Sequence, residues 1–163
     1  MFFDWSSEMR ELDRVDRKIV DLLQKEGRLS MTELAQRVGL SATPCTERVR
    51  RLEREGVITG YHARVDPRAL GRPLLVFVEL KLSAKSNDTF DRVKKELAYV
   101  PEVMECHLVS GDFDYLIKAR IAEMGDYRRL LGNILLKLPS AAESRSYVVM
   151  EEVKESLYLP PEP

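Results

Sequence analysis

The 163-residue sequence is short of several things, and each shortage removes a class of protein. It has two cysteines, Cys45 and Cys106, far apart and without a neighbouring Cys or His at ligand spacing other than His107. His107 leaves a strand on the opposite face from Cys106, so neither a disulfide framework nor a metal site is expected, and both thiols read as reduced core residues. No apolar run is longer than Leu74 to Val78, where a membrane span needs about 18 residues. The start MFFDWSSEMREL has no basic region followed by an apolar core, which points to a cytoplasmic protein. Net charge is also missing, at −1, so a nucleic-acid partner would have to be met by local patterning. With 44% apolar and 33% charged residues the chain is not disordered, and it has room for one medium domain or two small ones.

What is present begins with LDRVDRKIVDLLQKEG. Leu12, Val15, Ile19 and Leu22 recur at helical spacing, Asp13 suits the N-cap and Gly27 the stop. A second helix opens on a Ser30–Glu33 capping box, buries Leu34, Ala35 and Val38, and halts at Gly39. Ser41 caps a third helix, with Pro44 in its first turn and Gly56 as its stop. Short helix, tight turn and helix make a helix-turn-helix, which the first helix supports. At 100° per residue, Cys45, Val49 and Leu52 share the inner face of helix three and Thr43, Glu47, Arg50 and Arg54 the outer face, flanked by Thr46 and Arg51.

Four arginines in the seven residues Arg48 to Arg54, with small threonines at the helix start, point that outer face at DNA rather than at water. Ser41, Thr43, Pro44, Thr46, Glu47, Arg48, Arg50, Arg51 and Arg54 are the candidate contacts. Arg50, Arg51 and Arg54 are expected at phosphate or guanine, and Thr43 and Thr46 at base edges. Glu47 is expected to pair with Arg50 or Arg51, or to accept from cytosine. VITGYHARV then reads as a strand leading into a hinge at Asp66-Pro67 and Gly71, with His62 a phosphate contact or a solvent-facing side chain.

Residues 73 to 153 hold a weak repeat of strand, helix and strand: PLLVFVELKL, FDRVKKELAYV and VMECHLVSG, then FDYLIKARI, YRRLLGNILLKL and ESRSYVVMEEV. Val100-Pro101 and Leu138-Pro139 end the two helices alike. Two such units make a ferredoxin-like βαββαβ sandwich, so the fold class is α+β. In the first strand Leu75 and Phe77 leave the second sheet face apolar as well, which calls for a cover and suggests an isologous dimer. In HLVSGDFDYL, Gly111 and Asp112 suit a tight turn, and Asp112 and Asp114 alternate beside Leu108 and Phe113. These groups could hold an amino acid by its ammonium and its apolar side chain, or serve only the turn. No histidine, lysine or serine completes a catalytic group with the two carboxylates, so an enzyme is not expected.

The segments LSATPCTERVRRLEREGVI, LLVFVELKL, ECHLVSGDFDYLIKAR and YVVMEEVK closely resemble the Lrp/AsnC family of transcription regulators, over about residues 11 to 155 and nearest its leucine-responsive branch. The resemblance implies a winged helix-turn-helix over 11–60, a strand and hinge over 61–72, and a RAM/ACT-like αβ sandwich over 73–155. Residues 1–10 and 156–163 are expected to be flexible. It also implies double-stranded DNA as partner, self-assembly into dimers and octamers or larger rings, no cofactor, and an apolar amino-acid effector such as leucine, alanine or methionine. Carried over by position, the effector site comprises Leu108, Gly111, Asp112, Asp114, Met124, Tyr147, Val148 and Val149. Ala42 stands where the family often has proline, so operator preference is not carried over. The competing reading is an amino-acid-sensing or protein-interaction module without DNA binding, which the salt dependence of duplex binding would separate.

Overall fold

The computed structural model describes residues 11–138 and 141–161, which divide into two compact units. The first holds α1 (Arg14–Lys25), α2 (Met31–Val38) and α3 (Ala42–Arg54), together with the C-terminal segment from Glu155. The starts of the helices follow the side-chain caps: Asp13 accepts from the Val15 and Asp16 amides, and Ser30 and Glu33 form the reciprocal capping box. Gly39 ends α2 at φ 80°, a left-handed conformation that a Cβ would penalise, and so turns the chain into α3. Ile19, Leu23, Leu34, Ala35, Val38, Cys45, Val49 and Leu52 form the core of this unit.

Residues 57–65 do not form the expected strand: no element lies between Arg54 and Leu74. Their β-branched side chains favour an extended backbone, but a strand also needs a ladder partner. Val57 and Ile58 instead pack on the helical core, and their amides donate to the Leu52 carbonyl. Residues 66–72, read as a hinge, carry bonds of their own. Asp66 and Arg68 close a turn, and Arg72 donates to the Pro101 carbonyl at 2.7 Å. The tail, expected to be flexible, bonds to α1: Tyr158 donates to Asp21 at 2.7 Å, and the Leu159 amide and carbonyl pair with the Gln24 side chain at 2.9 and 2.8 Å.

The second unit is the sandwich: β1 (Leu74–Leu82), α4 (Asn87–Leu97), β2 (Val103–Leu108), β3 (Tyr115–Ile121), α5 (Met124–Lys137) and β4 (Ala141–Val148). The sheet order is β2-β3-β1-β4 with all neighbours antiparallel. Val76, Val78 and Leu80 of β1 and Ile117, Ala119 and Ile121 of β3 meet Val93, Leu97, Leu130 and Ile134 of the helices in a closed core. β4 stops at Val148, short of the expected strand, and both helices begin about a turn earlier than the apolar stripes suggest, α4 because Ser86 caps it. The second proline stop, Pro139, and the flexible N-terminus expected over 1–10 lie outside the described residues. Among the described residues no helix is long and apolar enough to cross a membrane.

Asp114 locks this unit. Its amide donates to the Leu80 carbonyl, its carbonyl accepts from Val109, and its carboxylate accepts from the Leu82 amide at 2.8 Å, where the β1–β4 register slips. The other carboxylate oxygen holds Lys85 Nζ at 2.7 Å. Burial alone would raise this carboxyl, but the Leu82 N–H and the Lys85 ammonium outweigh it and hold it below its ordinary 3.8. Asp114→Ala, which strands the Leu82 donor, is expected to cost about 1–3 kcal/mol in denaturant unfolding. Since the folded carboxyl titrates below the unfolded one, its contribution is complete above pH 3.8 and is lost as pH falls through the folded value. Melting temperature against pH should therefore drop less steeply on the acid side in Asp114→Asn than in the parent.

Candidate nucleic-acid interface and effector site

The inner face of α3 buries Cys45, Val49 and Leu52 as its periodicity requires, and so fixes which side chains face outward. Ser41, Thr43, Pro44, Glu47, Arg50 and Arg54 are exposed. Arg50, Arg54 and Glu47 make no ion pair among the described residues, so Glu47 does not neutralise its arginine neighbours. Ser41 stands at the N-cap but makes no side-chain cap bond. Thr46 is half-buried and its hydroxyl donates back to the Ala42 carbonyl at 2.8 Å, which engages it along its own helix.

Arg48 and Arg51, also expected at DNA, are drawn to α1 instead. Arg48 Nη1 donates to Asp13 Oδ2 at 2.6 Å and to Asp16 Oδ1 at 2.8 Å, and Arg51 Nη2 donates to Asp16 Oδ2 at 2.6 Å. The Arg48 guanidinium holds the Asp13 carboxyl below its ordinary value, helped by the Asp16 amide. Helical projection gave the direction in which each arginine leaves α3 but not the carboxylates across from it. Asp16, 3% exposed, is the residue that sequence reading missed. A charged residue among apolar ones on the buried side of α1 was the available signal. His62 is exposed.

In the sandwich the residues carried over from the family do not converge within one chain. Leu108 ends β2 at one sheet edge and Tyr147 and Val148 end β4 at the other, three interstrand spacings or about 14 Å across the sheet and further along it, since Leu108 lies level with Ser144. Tyr147 pairs with Phe77 and Val148 with Val76, so the two leave β4 on opposite faces. Val149 continues β4 by one bond to the Leu75 carbonyl, and Met124 is exposed at the start of α5. Gly111 turns the β2–β3 connection at φ 145°. Asp114 is turned inward onto Leu82 and Lys85, whereas Asp112 is exposed and lines, with Phe113, Glu79, Lys81, Glu143 and Arg145, a cleft of about 250 Å3.

The open sheet face keeps Phe77 and Leu116 half-buried and Tyr147 exposed. Arg120 on that face is buried by a two-oxygen bond to Glu152, at 2.7 and 2.9 Å, from the segment after β4. Cys45 is a core thiol as expected; Cys106 is not, because it lies on the edge strand β2, and it is exposed. Among the described residues no cluster of three or more His, Cys, Asp or Glu could hold a metal.

A helix-turn-helix whose third helix shows unpaired arginines, followed by an αβ sandwich with charged and apolar groups on an open face, defines a DNA-binding regulator with a second, ligand-binding domain. Residues 12–59 match the winged helix-turn-helix DNA-binding family, and residues 75–159 match the Lrp/AsnC ligand binding domain. The chain is 55% identical over 147 residues to the leucine-responsive regulatory proteins of Klebsiella pneumoniae and of Escherichia coli (strain K12), covering 90% of both chains in each case. Among solved structures it resembles a Neisseria meningitidis transcriptional regulator in complex with L-Met (TM-score 0.85, 31% identity, 92% of this chain and 97% of that one). It also resembles an AsnC family regulator from Agrobacterium tumefaciens (TM-score 0.86, 33% identity, 91% and 97%).

The chain belongs to the Lrp/AsnC family. It is a DNA-binding, amino-acid-responsive transcription regulator and not an enzyme. Each exposed arginine that neutralises a phosphate contributes about 0.9 to the slope of log affinity against log salt. Arg50→Ala and Arg54→Ala should each lower that slope by about that amount in duplex-binding titrations over a range of salt, with the melting temperature unchanged.

Proposed function

We propose that the protein controls genes of amino-acid metabolism as a dimer or a multiple of dimers, and that leucine or another small apolar amino acid such as alanine or methionine sets its assembly or its hold on DNA. The observation that carries this reading is the separation of Leu108 from Tyr147, Val148 and Val149 on opposite edges of one sheet. Such residues share a ligand only if a second copy brings its own set alongside. The partly uncovered apolar face of Phe77, Leu116 and Tyr147 supports self-association, for an isologous contact would cover the same patch on both copies.

Paired copies present two α3 helices, which suits successive major grooves of double-stranded DNA; Arg50 and Arg54 then meet phosphate or guanine and Thr43 a base edge. At the hairpin, Asp112 is the carboxylate available for an effector's ammonium, since Asp114 is already engaged by Lys85. The names of the curated relatives and the L-Met bound to the Neisseria regulator support an apolar amino acid. A cytoplasmic, nucleoid-associated protein follows from this role.

Light scattering on the purified protein should give the mass of a dimer or a multiple of it, and calorimetry should detect leucine, alanine or methionine but not aspartate or lysine. Asp112→Asn should weaken the effector by at least tenfold, as loss of a charge-assisted bond does. A monomer that takes up none of the twenty amino acids would sink the proposal.

A further inference from the structure

Two of the four arginines of α3 do not reach its outer face, and the reason lies on α1. Asp16 offers one oxygen to each, Arg48 at 2.8 Å and Arg51 at 2.6 Å, and its side chain is 5% exposed. Asp13 adds a second carboxylate against Arg48 at 2.6 Å, while its other oxygen accepts from the amides of Val15 and Asp16. The first turn of α1 therefore fixes the position of the cluster. Two carboxylates against two guanidiniums make it neutral. Arg48 and Arg51 keep 28% and 23% of their side chains exposed, so once released they have a way out to solvent. Glu55 is the only other carboxylate that faces them among the described residues, 3.9 Å from Arg51 Nε, which is buried without a hydrogen-bond partner.

We propose that Asp16 is a specificity-determining residue for DNA binding. Phosphates attract arginine whatever the base sequence, so each charge left free on α3 strengthens binding to every duplex equally. By holding Arg48 and Arg51, Asp16 keeps two charges off the backbone and sets the rotation of α3 about its axis. The groove then meets Thr43, Glu47, Arg50 and Arg54, and the balance shifts from phosphate contacts, which carry no sequence information, to base contacts, which do.

The test uses the full chain, a short duplex selected from a random pool by the parent protein, and a duplex of scrambled sequence. Asp16→Asn keeps the side-chain shape and removes the charge. It should tighten binding to the scrambled duplex, steepen its salt slope by about 0.9 for each arginine released, and lower the ratio of selected to scrambled affinity by about tenfold. A merely structural role would lower the active fraction, measured by stoichiometric titration, and leave slope and ratio alone. The variant D16N/R48Q/R51Q, which leaves the Asp13 carboxylate but no guanidinium in the cluster, should return the slope to the parent value.

The proposal is overturned if Asp16→Asn changes neither slope nor ratio, or if the triple variant's slope falls below the parent's by two phosphate contacts, which would place Arg48 and Arg51 on DNA in the parent. Should Asp16→Asn fail to fold, the triple variant decides alone: a parental slope supports the proposal and a shallower one refutes it.

Discussion

The DNA-binding unit turns on a carboxylate held between two guanidiniums. An ion pair of this kind contributes little net stability, because taking its members out of water costs about as much as their attraction returns, and apolar residues of similar volume would often do as well. What it supplies is orientation. A small apolar core built from Ile19, Leu34, Val49 and Leu52 sets which side of α3 faces inward. Bonds from Asp16 to Arg48 and Arg51 are directional, and they select one rotation. The exposed set on α3 follows from the buried apolar stripe and these bonds together.

The sandwich uses the same device. Asp114 is a buried carboxylate that accepts a backbone N–H which the irregular β1–β4 ladder leaves over, with Lys85 as its counter-charge. Both units thus contain a buried acid that ties two segments more than thirty residues apart, and in neither does that acid remain open to a ligand. The neighbours that are open, Arg50 and Arg54 in one unit and Asp112 in the other, are those with no ion pair among the described residues. In each unit the exposed charges are what is left once other charged groups nearby have paired.

A regulator must also carry information from one site to the other, and the strand order bears on how this chain could do so. With Leu108 and Tyr147 at opposite sheet edges, a ligand that touches both has to do so across copies, and its free energy then enters the assembly equilibrium directly. The coupling can be no larger than the ligand's preference for one arrangement over another. No intrachain relay through the core is required for a response of this type.

The helices of the first unit could be read from local chemistry. The Asp13 and Ser30 caps, the Ser30–Glu33 box and the turn at Gly39 each involve residues within four of one another, and the stripe Cys45, Val49 and Leu52 needs only the helical period. The βαββαβ order was equally legible, because each strand and helix carries its own pattern and the two halves repeat it. Periodicity stops at the surface of the element, however. It shows the direction in which Arg48, Arg51 and Asp114 leave the backbone but not that Asp16, Leu82 and Lys85 wait there, 29 to 35 residues away. Nor does an extended composition over 57–65 make a strand, since a ladder requires a second segment that the composition does not mention. The amino-acid sequence alone thus determined the elements, their faces and the class of protein, because these depend on short-range spacing. Only the tertiary structure decided which charges are paired and which remain for DNA or effector, because pairing depends on distances that arise once the elements have packed.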